Sequence, residues 1–135
     1  MTATIVQACR AETAGQIQAY RDLVGAASKA SGMSLARIDA ALAAFEPAFF
    51  NNLLIALDAR FAARDRNGDG PLAEVRLLAN SLLAHGGVLA ANPAVSYDAD
   101  KAVLKIDIGE RIALNADDFE TLCDAFLAEI ERSAA

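Results

Sequence analysis

A chain of 135 residues that is 55% hydrophobic has the length of one ordinary domain and can bury its core without disulfide or metal staples. Its net charge of −6 excludes a nucleic-acid backbone as the main partner, because such binding relies on Lys and Arg neutralising phosphates. The two cysteines, Cys9 and Cys123, are too few for a disulfide framework and read as reduced thiols.

The N-terminus lacks a basic region, and Arg10 and Glu12 interrupt any apolar run that could act as a signal peptide. No uninterrupted apolar stretch approaches the ~18 residues of a membrane span. These features predict a cytoplasmic protein with no membrane partner. Nine Arg against three Lys, with abundant Ala, suit a bacterial chain from a GC-rich genome. The acidic character is concentrated late, where Asp98 to Glu131 carries ten acids against Lys101, Lys105 and Arg111.

In chain order, Ile5, Ala8, Cys9, Ile17, Tyr20, Leu23, Val24 and Ala27 give an imperfect helical stripe that predicts a long helix from about Thr4 to Ala30. Ser31-Gly32-Met33 breaks it. Ser34 is positioned to cap a second helix carrying Leu35, Ile38, Leu42 and Phe45. Glu46-Pro47 should stop or kink that helix, and a third should run from Pro47 to about Arg64. Pro71, with Asp69 or Gly70 as cap, opens a fourth that His85-Gly86-Gly87 ends.

Beyond Pro93 the apolar period changes from 3.6 to 2, with Leu104, Ile106 and Ile108 alternating with Val103, Lys105 and Asp107. Turns at Asp98 to Lys101 and at Gly109-Glu110 then predict a three-stranded antiparallel meander over about 95–114. A C-terminal amphipathic helix over about 116–132 follows, capped by Asn115, with Phe119, Leu122, Cys123, Phe126, Leu127 and Ile130 on one stripe. The expected fold is therefore a single α+β domain, mainly helical, with about four N-terminal helices, the meander and this last helix covering one sheet face.

Four constellations are candidates for chemistry. Asp65, Asn67 and Asp69, with Gly70 at position 6 and Leu72 at position 8, resemble the start of an EF-hand calcium loop. Position 12, which should be a bidentate Glu, is Arg76, and Glu74 at position 10 does not replace it, so a structural turn is the simpler reading. His85, the single histidine, lies one turn from Ser81, but no carboxylate in sequence orients it. Arg60, Arg64, Arg66 and Arg76 form a basic cluster that could hold an anion near a helix start. The last helix carries Asp117, Asp118, Glu120, Asp124, Glu129 and Glu131, of which Asp117, Glu120, Asp124 and Glu131 are the candidate face for a basic protein partner.

No nucleophile, base or cofactor motif stands out, so no cofactor is expected. The sequence favours a small acidic protein-interaction or accessory protein of chaperone-like, immunity-like or regulatory-subunit type, forming a homo-oligomer or a tight hetero-complex. The alternative is a small enzyme or ligand binder with a pocket between helices and meander; a degenerate EF-hand-like calcium binder is a third.

Overall fold

The computed structural model describes residues 2–29, 35–62 and 70–134. It contains four helices: α1 (Thr2–Ser28), α2 (Leu35–Arg60), α3 (Pro71–Ala84) and α4 (Ala116–Ala134). Packing joins α1 to α4, α2 to α3 and α3 to α4, with lighter contact of α2 with α1 and α4. Among the described residues the fold is all-helical, which corrects the α+β expectation. Ser34, expected as a cap, lies outside the described residues.

The break expected at Glu46-Pro47 does not occur, and α2 runs through Pro47. A proline inside a helix removes a backbone hydrogen bond and costs about 3 kcal/mol. Tertiary contacts offset it. Phe45 and Phe49 stack within 5.2 Å of each other and against Tyr20, and Phe50 meets Tyr20 and Phe119 at 5.0 and 5.7 Å between ring centroids. On both sides of the proline the helix is thus held by aromatic packing that no window of local sequence contains.

The meander is also absent. Residues 85–115 form one long irregular connection that includes an isolated antiparallel bridge between Val88 and Arg111. Leu89 N–H donates to the Glu110 carbonyl at 2.9 Å, Gly109 N–H to Leu89 at 2.8 Å and Ile112 N–H to Gly87 at 2.8 Å. The segment expected as a third strand therefore pairs with residues just after α3, not with 103–108. At 103–108 the backbone goes elsewhere: Val103 and Leu104 N–H donate to the two carboxylate oxygens of Glu74 at 2.8 and 3.0 Å, and Lys105 adopts φ 56°, which breaks an extended run. The alternating pattern was faithful to burial in part, since Val103, Leu104 and Ile106 pack on the core, but Ile108 stays 49% exposed. The turn sits one residue earlier than expected, with Glu110 N–H bonding the Asp107 carbonyl at 3.0 Å and Gly109 at φ 93°.

Helix ends follow local chemistry more closely. Gly70 is the N-cap of α3, with Pro71 at the first helical position. His85 and Gly87 N–H both donate to the Ser81 carbonyl as α3 unwinds, and Gly86 and Gly87 take φ of 64° and 83°. Asn115 caps α4 as expected, accepting the Asp118 N–H at 2.7 Å. The α4 stripe is buried throughout, but it faces α1, α2 and α3 in place of a sheet.

Two stability measurements follow. Phe126 is fully buried with its ring 5.5 Å from Phe61, and Phe126→Ala lowers unfolding free energy by about 3 to 5 kcal/mol in urea titration. Glu74→Ala, which removes the acceptor of two part-buried N–H groups, costs about 1 to 3 kcal/mol, with Glu74→Gln intermediate; a change well below about 1 kcal/mol would show that water replaces the carboxylate. In alkali, burial and then the nearby Glu74 push the Tyr97 phenol up to about 12, while its hydroxyl donates to the Ile106 carbonyl. The folded state thus holds the Tyr97 proton more tightly than the unfolded chain, whose phenol ionises near 10. Stability from this group is complete below pH ~10 and is lost as pH rises towards ~12. Urea midpoints across that window, with Tyr97→Phe as control, measure it: the substitution flattens the alkaline loss.

Candidate interaction surface

Ion pairs fix how α1 lies on α4. Arg21 reaches Asp117 at 2.8 Å and Glu120 at 3.2 Å, and Arg10 reaches Glu131 and, at 4.0 Å, Asp124. All four acids expected to form a docking face therefore stand along the α1 side of α4 and share their oxygens with two arginines of the same chain. Each pair is largely open to solvent and weak by itself, yet together they mark an antiparallel register in which α4 begins level with Arg21. On α2, the matching level is Glu46, whose carboxylate accepts the Ala116 N–H at 3.0 Å.

Both helices continue past that level. Residues 22–28 of α1 and 36–45 of α2 extend beyond the start of α4 as a two-helix prong. Pairing of Tyr20 with Phe45 and Phe49, and of Glu12 with Arg60, shows that the two helices run antiparallel. The same register brings Leu23 and Val24 towards Leu42, and Ala27 towards Ile38. No residue described in the prong is fully buried: Ala27, Ile38 and Leu42 are partly covered, and Leu23, Val24 and Phe45 are 49%, 36% and 44% exposed. Two helices alone cannot enclose a seam; a third layer is what buries one.

As one continuous helix, Ala36–Arg60 is long and apolar enough to cross a membrane by length and composition, and only 17% of its most apolar window is buried. The sequence reading expected no stretch of that length. The same helix carries Glu46 and Asn51, which bond the loop, and buries Phe50, Leu54 and Leu57 in the core.

The other candidates are placed as follows. Asp65, Asn67 and Asp69 lie outside the described residues, as do Arg64 and Arg66. The two later positions of the calcium-loop pattern are engaged elsewhere, Glu74 with the Val103 and Leu104 N–H groups and Arg76 with Asp58 at 3.3 Å. Arg60 pairs with Glu12. Ser81 is fully buried and accepts the Ala90 N–H at 3.0 Å, whereas His85 is exposed, so the two are not a catalytic pair. Cys9 and Cys123 are free and buried, and burial pushes the Cys123 thiol up to about 11. It is a packed side chain with little thiolate at neutral pH. Among the described residues no group of three or more His, Cys, Asp or Glu is arranged to hold a metal ion.

One concavity fits the alternative of a pocket between helices and the 95–114 segment. It measures about 390 Å³ and is lined by Pro71, Glu74, Tyr97, Asp98 and Lys101 among others. Its one deeply buried ionisable group, Glu74, already holds two backbone N–H groups, which leaves the pocket without a convergent reactive set.

Calcium titration by calorimetry gives at most millimolar affinity, since Arg76 stands where the bidentate carboxylate belongs; micromolar one-to-one binding that Asp65→Ala abolishes would reverse this. No protein-family model matches the chain, and neither curated proteins nor solved structures yield a match.

Proposed function

We propose that the protein is a cytoplasmic protein-interaction module and that the prong is its contact element. The observation that carries this reading is the apolar seam of residues 22–28 and 36–45, left uncovered by α3 and α4 while the body buries Phe50, Phe119 and Phe126 completely. A seam of this kind is stabilised when another apolar surface closes over it. The acidic face of α4 is a less suitable contact element, because its Asp117, Glu120, Asp124 and Glu131 already bond Arg10 and Arg21. At most that face steers a basic partner during approach. A ligand-binding role in the pocket beside Tyr97 is the second reading, supported by its volume of about 390 Å³.

Affinity purification of the tagged chain beside a Leu23→Asp variant, followed by mass spectrometry, separates the two. A stoichiometric protein, whether another protein or an untagged copy of this chain, retained by the parent and lost from the variant is the expected result. A small molecule recovered equally from both chains replaces the interaction reading with the pocket.

A further inference from the structure

We infer that Cys9 and Cys123 are a redox pair: a small hydroperoxide oxidises Cys9, and Cys123 then closes a disulfide that fastens α1 to α4. Neither the prong nor the pocket beside Tyr97 takes part.

The two cysteines of the chain stand near its opposite ends, and the fold brings them to one place. Thr13 shows where. Its hydroxyl donates to the Cys9 carbonyl at 2.9 Å, one helical turn back, and accepts from the Cys123 Sγ at 3.8 Å across the packing of α1 on α4. One side chain thus touches both cysteines, and a charge on one sulfur is felt by the other. Among the described residues of α1 only Val6, Cys9, Ile17 and Tyr20 are buried. A bond at Cys9 therefore ties down a helix that otherwise rests on few side chains.

Surroundings assign the two roles. Cys9 lines a recess of about 40 Å³ between α1 and α2, together with Glu12, Leu53, Leu57 and Arg60. One water needs about 10–15 Å³, so a molecule the size of hydrogen peroxide fits and a bulky disulfide does not. Arg60 stands close enough to Cys9 for the sulfur to raise its guanidinium, after Glu12. A positive charge beside the sulfur is the setting of a reactive cysteine. Cys123 differs, since burial pushes its thiol up to about 11 and it keeps its proton at neutral pH. In the first step Cys9 Sγ attacks a peroxide oxygen: the S–O bond forms, the O–O bond breaks, and the second oxygen leaves with the Cys9 proton as water. The sulfur loses two electrons and the peroxide gains them. Cys123 Sγ then attacks Cys9 Sγ: the S–S bond forms, the S–O bond breaks, and the hydroxide leaves with the Cys123 proton as a second water. A small thiol reverses the bond by exchange, which suits the transient, sensing disulfides of a reducing compartment.

Intact-mass spectrometry of the full chain, after stoichiometric hydrogen peroxide in native buffer, tests this. The expected result is the loss of two hydrogens, a Cys9–Cys123 linked peptide in the non-reduced digest, and full reversal by dithiothreitol. Helical circular dichroism stays unchanged, and the urea midpoint of the oxidised chain rises by about 1 M or more, because the bond closes a loop of nearly the whole chain. Cys123→Ser stops the second step and leaves a sulfenic acid on Cys9 that dimedone traps, whereas Cys9→Ser takes up no dimedone. The parent chain carries the primary reading, so the result stands even where a variant is unstable. Thiols that stay reduced in native buffer and pair only in urea overturn the inference. So do a disulfide between chains, an internal bond that lowers the urea midpoint, and dimedone on Cys123 in place of Cys9.

Discussion

Around thirty residues between α3 and α4 have no sheet to join, and their buried backbone groups must still be hydrogen-bonded. Polar side chains projecting from the helices meet that constraint. Glu74 accepts from Val103 and Leu104, Ser81 from Ala90, and Glu46 from Ala116. Asn51 uses both ends of its amide, donating to the Ile112 carbonyl and accepting from Leu114 N–H at 3.1 and 3.2 Å. An unmade bond at a buried donor costs about 1 to 3 kcal/mol. These four side chains therefore decide the path of the connection, and through Ala116 they decide where α4 begins.

The position of α4 then divides the molecule. Beside it, α1, α2 and α3 bury the rings of Phe50, Phe119 and Phe126 and the apolar stripe from Leu122 to Ile130. Beyond it, among the described residues, α1 and α2 have only each other. The proline belongs to this division, lying one residue from Glu46 and one turn from Asn51, where contacts with the loop and with Tyr20 hold both halves of α2 in line. Tyr20 marks the same boundary, stacked on Phe45 and Phe49, and burial together with the nearby Glu46 carboxylate raises its phenol.

Electrostatics complete the division. The arginines of α1 take up acids of α4 on the body, while the neutral prong carries the exposed Leu23, Val24 and Phe45.

Much of the helical content was legible in residue order, because a helix writes its buried face into spacings of three and four that survive whatever it packs against. The α4 stripe and its Asn115 cap, the Pro71 start of α3, its end at Gly86 and Gly87 and the long α1 were all readable in this way. What tertiary structure decided was every question whose answer depends on a distant partner. Alternation at Val103 to Ile108 describes which side chains face inward, but a strand also needs a neighbouring backbone, and here a single glutamate took the place of that neighbour. Pro47 has the same local cost in any context, and only the rings of Tyr20 and Phe119 and the bond to Ala116 determine that α2 continues through it. Glu74, read in sequence as a misplaced calcium ligand, is a buried anchor for the loop, and no signal in its neighbours distinguishes the two. The prong was hidden for the same reason: Leu23, Val24, Leu42 and Phe45 have the spacing of core residues, and which of them lie uncovered is fixed by where another helix stops.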